Sequence, residues 1–465
     1  MKKIAMFCIP AHGHHNPMIP VAAELVRRGN TVRFYSFHEF EERIKATGAE
    51  FIPCDAFLPG LTEREQAGLK NVSTTEMTIQ DIRITLRMKD FLDEEFRSFA
   101  PDVVYTDSVC FWGKLNAWKH DVPMVVSTST FAFNQMSSQY MKNSPKEMAG
   151  LIFGLPRVSK ELNKLKAHGF RFKGLFSLIQ SDNDTDSVVY TSKRFQPYAE
   201  SFSSHYLFAG PSIRPEQKPR KAGKPLVYVS LGTVINDRPD FYQKCIRALG
   251  GENVDLVISC GNTVHIAGLG KLPDNVRVFP RVDQMDILSR ASVFITHCGM
   301  NSVSESLYME TPMVLYPQTN EQAAVARRTV EIGAGMLLQD DSAEGIRKAV
   351  LEILRNAGYA KAAQACAADF RSCPGIAGAA EFVENAPHKA SGPDVLKELT
   401  KANVLAQVIY NVAAILLALV LFRFVSPKFI WIYVALAILL SFPFRNWAQN
   451  AAYRWLIKKY GLKKE

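Results

Sequence analysis

Eight cysteines are scattered over 465 residues, with no C-x-x-C pair and no Cys/His run spaced like a zinc site. That excludes a zinc ribbon or finger. Positions 8, 54, 110, 245, 260, 298, 366 and 373 fit free thiols in a reducing compartment better than a disulfide framework. No G-x-G-x-x-G follows either segment that opens an α/β pattern, so the fingerprint of a dinucleotide-dependent oxidoreductase is missing. The amino-terminal MKKIAMFCIPA places two lysines before an apolar run, but the run is short and lacks a small-residue cleavage site. Residues 3–9 are therefore expected to be a first strand, not a leader. The sequons at Asn71 and Asn183 then carry no weight. Net charge is also small over most of the chain. Of the net +10, residues 389–465 hold +8 (11 Lys and Arg against 3 Asp and Glu), which leaves +2 for the first 388. No nucleic-acid partner is expected.

A chain of this length exceeds one ordinary core. Strand 3–9 should lead through loop 10–16 into a helix from Pro17 to about Arg28, with Asn16 as cap and Gly29 as stop. A strand at 31–36 follows, and the β-loop-α-β order recurs with strands at 102–105 and 123–127. At 210 the composition changes to GPSIRPEQKPRKAGKP, a linker without apolar periodicity. A second α/β unit then opens, with strands near 226–230, 255–259, 276–279, 292–296 and 313–316. The expected fold class is α/β, with two Rossmann-like domains (1–209 and 225–388) facing a cleft, a linker at 210–224 and a tail at 389–465.

The tail has 19 uncharged residues at 404–422 and 16 at 429–444, around a short Ser-Pro turn. Two buried core helices are the alternative to a membrane hairpin, but neither run has a polar face to present to water. Lysines and arginines flank the outer ends, while the turn has only Arg423 and Lys428, so both ends are expected on the cytoplasmic face of a membrane. Trp447, Tyr453 and Trp455 with the lysines around 458–464 suit an anionic membrane surface. The tail should anchor the chain without building the site, so that a cut near Pro387 leaves a soluble, active protein.

The richest stretch is 294–312, FITHCGMNSVSESLYMETP. An apolar strand ends at a polar turn, His297-Cys298-Gly299, and Asn301-Ser302 offers N-cap chemistry for a helix. Free N–H groups at such a helix start stabilise a diphosphate, and His297 can donate a further hydrogen bond. Glu305, one turn in, could accept both hydroxyls of a ribose. In the first unit, the loop AHGHHNP carries His14, which can accept a proton near neutral pH. Asp107 ends PDVVYTD and could hold that imidazole. His12, His14 and His15 lack nearby carboxylates and make a poor metal set, so no metal is expected.

These residues resemble family 1 UDP-glycosyltransferases, nearest the bacterial macrolide-glycosyltransferase group. The resemblance rests on H-C-G-x-N-S-x-x-E with Pro312, Pro317 and Glu321-Gln322 after it, and it covers roughly residues 1–385. It implies a GT-B architecture and an inverting transfer of a hexose, glucose from UDP-glucose, to a hydroxyl on an apolar small-molecule or lipid acceptor. It also implies that the UDP-sugar is a substrate and that no cofactor is used. His14 matches the family's catalytic base and Asp107 its acidic partner. His297, Gly299, Asn301, Ser302 and the Ser230-Leu231-Gly232-Thr233 turn match the diphosphate site. Glu305 matches the ribose contact, and Glu321 and Gln322 match the pair that contacts the sugar, with glutamine going with glucose-type donors. Where relatives read W-V-P-Q under the uracil, this chain has Arg281-Val282-Asp283-Gln284, and a guanidinium can also stack on a base. Glu310 replaces a usual glycine and should alter only a helix end. Residues 55–95 and 130–180 would line the acceptor side. The competing readings are a membrane-tethered binder of nucleotide sugar or lipid without turnover, disfavoured by the intact His14 and Asp107, and a dinucleotide-dependent oxidoreductase.

Overall fold

Short runs of buried β-branched and aromatic residues build two sheets in which every strand pair is parallel. The computed structural model describes residues 1–60, 73–141, 145–179, 183–214, 218–221, 223–421 and 430–462. The first sheet contains β1 (Lys3–Phe7), β2 (Thr31–Ser36), β3 (Glu50–Pro53), β4 (Val103–Asp107), β5 (Met124–Thr128), β6 (Asp186–Val189) and β7 (Tyr206–Phe208), in the order β3-β2-β1-β4-β5-β6-β7. The second contains β8 (Leu226–Ser230), β9 (Asp255–Ser259), β10 (Val276–Phe279), β11 (Val293–Thr296), β12 (Met313–Leu315) and β13 (Gly335–Leu337), in the order β10-β9-β8-β11-β12-β13. In each sheet the winding direction reverses once, between β1 and β4 and between β8 and β11. A crevice opens outside the carboxyl ends of the strands at such a reversal.

The helices that brace the cleft are α1 (His12–Arg27), α2 (Thr74–Phe99), α3 (Gln284–Arg290), α4 (Met300–Tyr308), α5 (Asn320–Glu331) and α6 (Gly375–Glu384). The tail adds α7 (Val395–Leu421) and α8 (Ile430–Lys459). α1 begins earlier than its sequence suggests. The amides of His14 and His15 both bond to the Ala11 carbonyl at 3.1 Å and close a first turn upstream of Pro17. Ala11 is therefore the N-cap, Asn16 is not, and Pro17 sits inside the helix, where its missing N–H removes one hydrogen bond. α4 differs in the same sense. Gly299 is its N-cap and makes no side-chain cap, so Asn301 and Ser302 lie within the first turn and are free for other partners.

α6 crosses back onto the first domain. Ala379, Ala380 and Val383 enter the core that also holds Ile4, Met6 and Leu25. Arg28 pairs with Glu384 at 3.0 Å at the edge of the same contact. α6, near the end of 225–388, thus packs on the core of the first domain.

α7 and α8 form an antiparallel hairpin: Tyr410 donates to the Ala437 carbonyl at 2.6 Å and Tyr433 to that of Ala414. The expected turn with Arg423 and Lys428 lies outside the described residues, as does the sequon at Asn71. Val404, Leu405, Leu416 and Leu419 are exposed, which does not fit buried core helices. The base of the hairpin is different. Val395, Leu399, Tyr453 and Leu456 are buried with Met136 of the first domain, and each aliphatic side chain so buried contributes about 1.5–3 kcal/mol. A cut near Pro387 would strip this cover from Met136. Asn183 is buried as well, with its amide donating to Asp394 at 2.9 Å.

Candidate active site

The two reversal points bring the chemistry to one cleft. His14 lies in the first turn of α1, directly after β1, and Asp107 is the last residue of β4, so the two end up beside each other at the first reversal. His14 Nδ1 donates to Asp107 Oδ2 at 2.7 Å; the carboxylate is fully buried, while the imidazole is 27 % exposed. Asp107 Oδ1 accepts the Val109 amide at 3.0 Å, which fixes the carboxylate plane. Burial alone would lower the pKa of His14. The charge of Asp107 and its hydrogen bond outweigh that, with help from Glu321 and Asp81, and the pKa stands above the ordinary histidine value. The neighbouring histidines have other duties. His12 Nε2 meets Glu39 at 2.8 Å. His15 stacks on Phe40 at 3.6 Å and meets Ser36 at 2.6 Å, and burial pushes its pKa down to about 4.

The second reversal carries the diphosphate candidates. Ser230 ends β8 and its hydroxyl accepts the Gly232 amide at 3.3 Å. His297 follows β11, and Cys298 then takes a left-handed φ of 69° to turn the chain into α4. The His297 ring lies between two glycines. A Cβ on Gly232 would stand 2.5 Å from the ring and one on Gly299 2.6 Å from its Nε2, so the close approach requires both glycines. Burial pushes the His297 pKa down to about 4, with only a weak opposing effect of the Ser230 backbone. The ring is neutral at pH 7, and its Nδ1 is buried without a hydrogen-bond partner among the described residues.

A third group sits one helical turn on. Gln284, the first residue of α3, donates to Glu305 at 2.6 Å and to Ser302 at 3.4 Å, and its carbonyl accepts from Tyr228 at 3.2 Å. Burial raises the Glu305 pKa to about 7; the Gln284 hydrogen bond opposes this and the charge of Asp283 adds to it. Between the domains a recess is walled by Asn16, Pro17 and Tyr190 on one side and by Asn301, Ser304 and Glu305 on the other. Asn301 spans it, its amide donating to the Gly13 carbonyl at 2.8 Å. Glu321 and Gln322 occupy the first turn of α5, where Gln322 accepts the Gln318 amide at 2.8 Å.

Arg281 and Thr233 are exposed and join none of these clusters, and Val282 packs against the second core. Glu310 has φ 58°, the left-handed end of α4 that glycine would take without cost, and it pairs with Arg371 at 2.9 Å. Two neighbours of His14 have no motif in the sequence. Ser129, just beyond β5, lies 3.2 Å from His14 Nδ1. Asp81, on α2, feels the same dyad: burial and then the charge of Asp107 push its carboxyl well above the usual range, against the pull of His14. Among the described residues no three His, Cys, Asp or Glu side chains converge as a metal site would need.

Residues 245–386 match the family described as "Erythromycin biosynthesis protein CIII-like, C-terminal domain". The chain is 32 % identical over 361 residues to the NDP-glycosyltransferase YjiC of Bacillus licheniformis, covering 75 % of this chain and 88 % of that protein. It is 30 % identical over 401 residues to "Uncharacterized UDP-glucosyltransferase YojK" of Bacillus subtilis, covering 82 % and 97 %. The fold is similar to the crystal structure of the glycosyltransferase of kitacinnamycin, with TM-score 0.69, 26 % identity, and coverage of 82 % of this chain and 98 % of that one.

Proposed function

The chain belongs to the family 1 UDP-glycosyltransferases, in their macrolide-glycosyltransferase-like group, and we propose that it transfers glucose from UDP-glucose to a hydroxyl of an apolar acceptor with inversion. The observation that carries this reading is the His14–Asp107 pair at 2.7 Å, set across the cleft from the helix start that follows His297. With Nδ1–H given to Asp107, Nε2 is the free base. It takes the acceptor's proton as the acceptor oxygen attacks the anomeric carbon. The bond from that carbon to the diphosphate oxygen breaks, and UDP leaves. Asp107 stabilises the imidazolium so formed.

On the donor side, the diphosphate is assigned to the Ser230-Leu231-Gly232-Thr233 turn, to His297 and to the first amides of α4 after Gly299, including those of Asn301 and Ser302. Glu305 accepts the ribose hydroxyls, with Gln284 holding its carboxylate. Glu321 and Gln322 are assigned to the sugar. Arg281, with Val282 beside it, is exposed and so is available to lie against the base. No cofactor or metal is given a step.

We assign the tail to the cytoplasmic face of a membrane. Among the described residues one helix is long and apolar enough to cross, Val395–Val420 within α7, and little of it is buried. Trp447 and Trp455 are exposed, and Lys459 lies 4.9 Å over the Trp455 ring, a pairing suited to anionic headgroups. An acceptor that partitions into the same layer, a lipid or another apolar alcohol, follows from this placement. The test is UDP release across a panel of nucleotide sugars and apolar alcohols. Release that needs an alcohol and is fastest with UDP-glucose supports the reading, and release indifferent to the alcohol removes it.

A further inference from the structure

The base of the tail converges on one loop of the first domain, residues 129–141, and that loop has an end at each side of the cleft. Ser129 touches His14 at 3.2 Å. Six residues on, Gln135 is held by both tail helices. Its carbonyl accepts from Gln449 of α8 at 2.8 Å, and its side chain exchanges hydrogen bonds with Thr400 and Asn403 of α7 at 3.4 and 3.3 Å. Asn134 stiffens the loop around Gln135, accepting the amides of Met136 and Ser137 at 2.8 and 3.1 Å, and the Ser137 hydroxyl donates back to the Ala132 carbonyl at 2.9 Å. At the far end the Tyr140 hydroxyl donates to the carboxylate of Glu331, and Arg327 lies 5.5 Å over its ring. Both belong to α5, the helix of the second domain whose first turn holds Glu321 and Gln322.

We propose that the tail root is a positioning element of the cleft: by gripping residues 129–141 it keeps His14 aligned with the first turn of α5. A passive tether would need only a linker and an apolar hairpin, and its contacts with the body of the protein could fall anywhere. Here both tail helices bond to one residue, Gln135, in the segment that joins the base to the donor-side helix, and α8 adds one bond elsewhere on the first domain, from Tyr453 to Glu200 at 2.7 Å. From Ser129 to Gln135 the chain spans at most about 20 Å even when extended, so a displacement at the root reaches the base through a short, internally bonded loop. The proposal rests on the assignment of His14 as base.

The test uses the full chain in detergent with the best water-soluble alcohol of the donor and acceptor panel. Gln449→Leu and Tyr140→Phe should each lower kcat at least threefold while the Kd for UDP, by calorimetry, stays within twofold. The double variant should be no slower than the slower single one, because both changes release the same loop. Replacing residues 404–447 by a short Gly-Ser linker removes the apolar hairpin but keeps the root, and should leave kcat unchanged. Tyr140→Phe removes one hydroxyl only, so it stays informative if the Gln449 variant folds poorly. Full kcat in Tyr140→Phe, multiplicative losses in the double variant, or loss of kcat in a folded hairpin-excised chain would each overturn the proposal. Failure of the underlying assignment would look different: His14→Ala would keep the kcat of the unaltered chain.

Discussion

The side-chain amide of Asn301 donates to the carbonyl of Gly13 at 2.8 Å, joining the first turns of two helices from opposite sides of the cleft. That carbonyl is available because Pro17, four residues on, has no N–H to offer it. The bond therefore ties the helix that carries His14 to the helix that follows His297, the proposed diphosphate site. Asn301→Ala should cost about 0.5–1.5 kcal/mol of this alignment, up to roughly tenfold in kcat/KM. The thermal midpoint should barely move, since the bond is exposed. Steady-state kinetics with unchanged kcat/KM would show that closure does not depend on it.

His14→Ala should lower kcat by about 10²–10⁴ and leave the Kd for UDP nearly as it was, because His14 and the proposed donor site belong to different domains. The pH profile refines this. The Asp107 charge holds the proton on His14, so the active, neutral base is populated only as pH rises through a pKa above the ordinary histidine value. The stabilisation from this pair is likewise complete below the unfolded pKa and lost as pH rises through the folded one. Asp107→Asn removes the charge but not the burial. The acid limb of the kcat profile should then move to lower pH while the maximum falls, and a limb that stays in place would mean that another group is titrating.

Gly299→Ala isolates the role of the His297 ring. Unlike Gly232, whose φ is +80°, Gly299 has a φ of −62° that any residue can adopt, so only the 2.6 Å approach of the new Cβ to Nε2 is at stake. The ring must shift, and UDP binding measured by calorimetry should weaken roughly tenfold, a change of about 1.4 kcal/mol. Unchanged affinity would place the diphosphate elsewhere.

Glu305, with its pKa raised to about 7, should make donor binding pH-dependent. Above pH 7 the ionised carboxylate accepts both ribose hydroxyls; as pH falls through 7 it takes up a proton and loses acceptor capacity, so the Kd for UDP should rise toward pH 5.5. Glu305→Gln should bind more weakly at pH 8 and show little of that dependence. An equally steep slope in the variant would assign the titration to another group.

Of the thirteen strands among the described residues, nine were legible as apolar runs, because a parallel strand is buried on both faces and its sequence is continuous in Val, Ile and Phe. β3, β6, β7 and β13 were not. They have three or four residues, and Glu50 and Asp186 break the first two, which leaves too little pattern to read. The cleft residues that end strands could be placed for the same reason, and His14, Asp107, Ser230 and His297 all lie at or just after a strand end. What the sequence concealed depends on tertiary contact. Ser129 also follows a strand, and the same rule applied to β5 would have found it. Asp81 lies on a long helix and reaches the dyad only through packing. The return of α6 to the first domain and the grip of the tail on Gln135 join residues far apart in the chain, and no local pattern marks either end.

The central claim is a single displacement at the anomeric carbon with His14 as base, and the configuration of the product tests it most directly. UDP-glucose carries its sugar in the α configuration, so proton NMR of the glucoside formed should show a β linkage only. An α-linked product would mean net retention, which a single in-line displacement cannot give, and would contradict the assignment of His14 and Asp107.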